Sequence, residues 1–182
     1  MRVRRRPSRR AITAALLLGL TVAAAALYWF QPWKLWTDET VREALPAAVT
    51  PAAGEAASGT KSGGLRTLAQ GQLISHEHST RGTVRVLELP DGSRTLRLEG
   101  LDTSNGPALH VWITDAPVKE GAGGWRVFDD GTHVDLGKLK GNKGDQNYAL
   151  PASVDLDKLN SVSVWCERFN VSFGAAQLRP AG

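Results

Sequence analysis

The chain has 182 residues with 22 Lys and Arg, 18 Asp and Glu, and one cysteine, room for one folded domain plus appendages. At 42% hydrophobic and 22% charged residues it is neither wholly disordered nor collagen-like, and a single cysteine excludes both an internal disulfide and a cysteine-rich zinc site. Six arginines lie in the first ten positions (Arg2, Arg4, Arg5, Arg6, Arg9 and Arg10), and the remainder carries 16 basic against 18 acidic groups, so the net basicity belongs to a tail.

Residues 1–10 therefore read as a basic cytoplasmic tail, followed by an uncharged apolar run from Ala11 to Phe30. Twenty helical residues span about 30 Å, the hydrocarbon thickness of a bilayer. Tyr28, Trp29 and Phe30 close the run, with Trp33 and Trp36 beyond it, and such rings favour the headgroup level. Residues 11–30 are expected to be a transmembrane helix partnered by the lipid bilayer. The arginines place the N-terminus inside and the bulk of the chain outside the cell membrane. Ala23–Ala26 offers a signal-peptidase site, but the length of the run and the aromatic cluster after it favour a retained anchor. No cysteine stands directly after the run to accept a lipid.

Residues 31–64 read as a juxtamembrane segment and an Ala/Gly/Pro-rich linker. Asp38–Leu45 is expected to form a short helix ended by Pro46, and Ala47–Gly64 is too poor in large apolar residues to bury a core. The whole is expected to be a flexible stalk.

From residue 65 to 182 short apolar alternations are punctuated by Gly, Pro, Asn and Asp. Gly82–Leu89, Pro90-Asp91-Gly92-Ser93 and Arg94–Leu98 predict a hairpin. Leu109, Val111 and Ile113 alternate with His110, Trp112 and Thr114; Val162, Val164 and Cys166 alternate with Ser161, Ser163 and Trp165. A tight link, Glu167–Asn170, leads to Val171–Phe173, and Asp155–Asn160 suits one helical turn. About eight short strands and no long amphipathic helix predict an all-β domain, an antiparallel β-sandwich or barrel-like fold.

Chemistry has few places to reside. Cys166 is the redox candidate, because a thiol outside the cytoplasm persists only if buried, modified, ligated or redox-active. Its parity with Val162 and Val164 supports the competing reading of a small core hydrophobe. His76 and His78 fall on one face of a strand; with Cys166 and His110 they compose a soft nitrogen–sulfur set suited to copper or haem iron. The polar neighbours Ser75, Glu77, Ser79 and Thr80 instead suggest an exposed strand end, and His133, beside Asp129-Asp130-Gly131, reads as surface. Lys140-Gly141-Asn142-Lys143-Gly144 lacks the Gly-Lys-Ser/Thr ending of a phosphate loop. Asp129, Asp130 and Asp135 lack EF-hand spacing. There is no basic stripe with interleaved aromatics for a nucleic acid, and no complete hydrolase constellation.

Taken in order, several segments resemble the electron-transfer DM-thirteen domain, an extracellular module found alone in bacterial membrane proteins and beside DOMON domains. These are His78-Ser79-Thr80-Arg81-Gly82-Thr83; Asn105-Gly106-Pro107 and the strand through Val111; Leu136–Tyr148; Val164-Trp165-Cys166; and Val171, Phe173-Gly174, Ala176 and Leu178. Ala108 stands where the family usually has an acidic residue. The resemblance implies a mostly β fold and a redox or electron-transfer role centred on Cys166, as a thiol or as ligand of a prosthetic group such as haem. His78 corresponds to a recurrent family histidine and is the second candidate. An unidentified redox or envelope protein is the implied partner. The alternative is a non-catalytic binding or scaffolding module of the cell envelope with Cys166 in its core.

Overall fold

The computed structural model describes residues 8–46 and 64–181. It opens with helix α1 (Arg9–Phe30), about 33 Å long at the usual rise and apolar enough to cross a membrane, with none of its residues buried. Ser8 caps it by accepting from the Ala11 N–H. Gln31, in the left-handed conformation, stops it and turns the chain into a short 3-10 segment, Pro32–Trp36.

Ten strands follow: β1 (Thr40–Arg42), β2 (Arg66–Ser75), β3 (Arg81–Glu88), β4 (Arg94–Asp102), β5 (Leu109–Thr114), β6 (His133–Lys138), β7 (Lys143–Leu150), β8 (Ser161–Cys166), β9 (Val171–Gln177) and β10 (Arg179–Pro180). They form one sheet ordered β1-β7-β4-β3-β2-β9-β8-β5-β6, with β10 beside β2. All pairs are antiparallel except β1 and β7. β2 makes the corner: Arg66–Gln72 pair with β3, and Leu73–Ser75 pair with β9. The sheet curls into a half-barrel, which is the barrel-like alternative of the expected all-β class.

The concave side holds the core. Val84 and Val86, Leu96 and Leu98, Val111 and Ile113, Val162 and Val164, and Phe173 all face it, as period-two alternation requires. A second, smaller cluster lies on the opposite face of β5, β8 and β9, where the connection after β5 folds back to place Phe128 and Ala116 over Trp112, Trp165 and Ala175.

The juxtamembrane stretch differs from expectation. Asp38–Leu45 is not helical: Thr40–Arg42 adds to the sheet as its parallel edge. Side chains hold this strap in place. Asn142 accepts from the Glu39 N–H at 2.7 Å, Lys143 pairs with Asp38 at 2.6 Å and Lys140 with Glu43 at 2.7 Å. Arg97, only 4% exposed, donates to the carbonyls of Glu43 and Ala44 at 3.1 and 3.2 Å. The polar partners that residues 38–44 gain from the sheet exceed what an isolated helix of eight residues could offer itself. The Ala-rich stretch 47–63, expected to be part of a stalk, lies outside the described residues; in chain order it connects β1 to β2.

Candidate functional site

Cys166 ends β8 with its side chain in the main core, 0% exposed. Its cross-strand partners are Leu109 and Val171, and its carbonyl accepts from the Phe169 N–H of the tight turn that follows. Burial pushes the thiol above its ordinary value; the backbone N–H groups of Phe169, Arg168 and Ala108 oppose that shift. The surroundings thus favour the neutral thiol while providing donors to a sulfur that gains negative charge.

Beside this position opens an apolar cleft of about 510 Å³ between the end of α1 and the sheet. Phe30, Leu35, His78, Trp125, Phe169 and Phe173 are among its walls. The His78 ring lies tilted against Phe173, with ring centroids 3.9 Å apart and planes 40° from parallel, and its Nε2 lies 2.5 Å from the Glu77 carboxylate. Cys166 does not line the cleft, whereas its neighbours Val171 and Phe169 do. A larger groove of about 740 Å³ along β2 and β10 holds neither Cys166 nor a histidine, so its size gives it no claim on this chemistry.

The four residues proposed from sequence as one ligand set are not brought together. His76 is buried rather than exposed. Its Nδ1 lies 2.8 Å from Ser172 Oγ and its Nε2 3.1 Å from the Lys119 carbonyl. A ring protonated at Nε2 donates to that carbonyl and accepts from the hydroxyl, so both nitrogens are in use. Ser163 Oγ donates onward to Ser172 at 2.9 Å. Burial pushes the His76 pKa down. His110 lies on the outer face of β5, opposite Trp165. Among the described residues no group of three ligating side chains includes Cys166, so a Cys/His copper centre does not fit. The cleft falls within the usual volume of ligand pockets and His78 could reach a haem there, but a haem ligated by Cys166 does not fit behind Val171 and Phe169.

Sequence reading also missed what the Leu136–Tyr148 segment does. Gln146 Oε1 accepts from Tyr148 Oη at 2.7 Å and from the Lys140 N–H at 3.1 Å, while its amide donates to the Gly141 carbonyl at 2.6 Å. Gly144 has φ +95°, and a Cβ there would collide with the Val41 carbonyl. This segment receives the strap. Its glycine and asparagine pattern was the signal, but the partner strand could not be recognised from three residues.

A curled half-barrel with a buried lone cysteine defines a small β module. Its sequence from residue 72 to 178, more than half of the chain, matches the family described as electron transfer DM13. The chain belongs to that family, whose description suggests a role related to electron transfer. Comparison with curated proteins and with solved structures gave no match.

Proposed function

We propose that this chain is a membrane-tethered, extracytoplasmic electron-transfer domain, anchored through residues 11–30 with its N-terminus in the cytoplasm. Its redox centre is Cys166 acting as a thiol, and His78 in the adjoining cleft is the second participant. The partner is a redox or envelope protein that approaches the cleft. The observation that carries this reading is the family match, which runs from β2 to the end of β9. The N–H groups around the sulfur and the apolar cleft one residue layer away support it.

A specific observation favours a second reading. The sulfur has no exposed surface and aliphatic cross-strand partners, as suits a non-catalytic envelope module with cysteine as a core residue. Full-length protein in detergent distinguishes the two. The first reading expects a redox-active species, by visible spectrum or electrochemistry, that disappears in Cys166→Ser while the fold is kept. Absence of any redox-active species, or one that persists unchanged in folded Cys166→Ser, would refute it.

A further inference from the structure

Three strands bring an unassigned set of donors together on the outer face of the half-barrel. On β5, His110 shares that face with Trp112; on β8 its partner is Trp165, and Glu167 follows two residues later with the same parity. On β6, Asp135 pairs with Trp112. The β5–β6 register shifts between His110 and Trp112, and the extra residue on β6 is absorbed around Gly137, at φ +115°. Bulges of this kind re-aim side chains. Here the Gly137 N–H donates to Asp135 Oδ1 at 2.8 Å, leaving Oδ2 2.8 Å from His110 Nδ1.

We propose that His110 and Glu167 bind a divalent transition-metal ion of the zinc class, with Asp135 positioning the imidazole. When Nδ1–H donates to Asp135, a neutral ring presents a lone pair at Nε2. That atom lies 3.4 Å from Glu167 Oε2, so two acceptors face each other without a proton between them. Either a second ring proton or a bound cation resolves the mismatch, and zinc titration tells the two apart. Two ligands of a tetrahedral ion, each about 2.0–2.1 Å from it, are separated by roughly 3.3 Å, close to the spacing found. Carboxylate, histidine and metal then form the arrangement in which an outer carboxylate sets tautomer and ring orientation. The mixed nitrogen and oxygen donors suit zinc and its first-row neighbours.

Lys34, Lys138 and Arg168 line the same cleft as His110 and Glu167, but none of them pairs with the proposed ligands. Among the described residues neither Asp135 nor Glu167 forms an ion pair with a lysine or arginine; each approaches only the His110 ring. Arg168 donates to the carbonyls of Tyr28 and Trp29 and Lys34 to the Gly106 carbonyl, while Lys138, opposite His110 in register, forms no ion pair among the described residues. Asp135 and Glu167 are 40% and 45% exposed at their side chains, so an ion could enter from solvent, with water completing its coordination.

The test is calorimetric titration of metal-stripped, full-length protein in detergent with zinc chloride, followed by cobalt(II) and its visible absorption. One equivalent is expected to bind. His110→Ala should abolish binding, Glu167→Gln should weaken it by at least tenfold, and Asp135→Asn by roughly 10–100-fold. Cys166→Ser should leave it unchanged, because that sulfur faces the core; this arm separates the metal site from the cysteine reading. Near-ultraviolet circular dichroism of Trp112 and Trp165 checks that each variant folds. Absence of saturable binding, or equal binding by folded His110→Ala and Glu167→Gln, would overturn the proposal.

Discussion

Replacing Cys166 by serine tests how the sulfur is used. The substitution conserves shape but places a hydroxyl among Leu109, Val171 and the rest of the core, at a position with no exposed surface. The N–H groups of Phe169, Arg168 and Ala108 can donate to its oxygen, but the hydroxyl proton gains no acceptor from the aliphatic side. Burying such a group costs about 1–3 kcal/mol, and the partial compensation puts the expected loss near 2 kcal/mol. For a domain of this size that lowers the melting temperature by roughly 4–10 °C. Urea unfolding of the full chain, followed by tryptophan fluorescence, measures it. Labelling with a thiol reagent at neutral pH should be slow in the native wild type and rapid after unfolding, since burial holds the thiol neutral. Unchanged stability together with rapid native labelling would refute the assigned environment of the sulfur.

Three other outcomes are expected. Gly144→Ala should release β1, because the residue would sit at φ +95° against the Val41 carbonyl; a loss of about 1–3 kcal/mol and faster hydrogen exchange at the Val41 amide would report it. Tyr148, pushed up to about 12 by burial, keeps its proton while the unfolded chain loses it near pH 10, so stability should fall between pH 10 and 12 by about 3 kcal/mol. Tyr148→Phe should remove that fall in alkaline unfolding titrations. His76 has a lowered pKa from burial, so the unfolded state takes up the proton first; stability should decline as pH drops below about 6.5, and His76→Gln should flatten this part of the acid denaturation profile.

Period-two alternation made β3, β4, β5 and β8 legible, because each buries one face against the same core. The side of Cys166 followed from its parity with Val162 and Val164. The turn at Asp155 appeared as expected, with the Leu159 N–H bonded to the Asp155 carbonyl. Other features depend on partners distant in sequence. Nothing near His76 announces Ser172 or Lys119, so its polar neighbours suggested exposure. Phe128 sits in a Gly- and Asp-rich connection whose fold-back depends on Trp112 and Trp165 already being paired. The approach of Asp135 to His110 requires a bulge whose position local propensity does not reveal. β1 is three residues long and parallel, a pairing without a hairpin signature.

The strap alters the mechanics of anchorage. An unpaired spacer over residues 37–64 would give a domain a leash of up to roughly 90 Å. Here the sheet engages the chain by Thr40, and before that Phe30 stacks on Phe169 while Arg168 grips the Trp29 carbonyl at 2.5 Å. With α1 seated in a bilayer, the half-barrel would ride at a set height and tilt, like a turret bolted to its deck. On the proposed anchored reading, a partner would have to come to that fixed height, because no tethered head would sweep out to meet it.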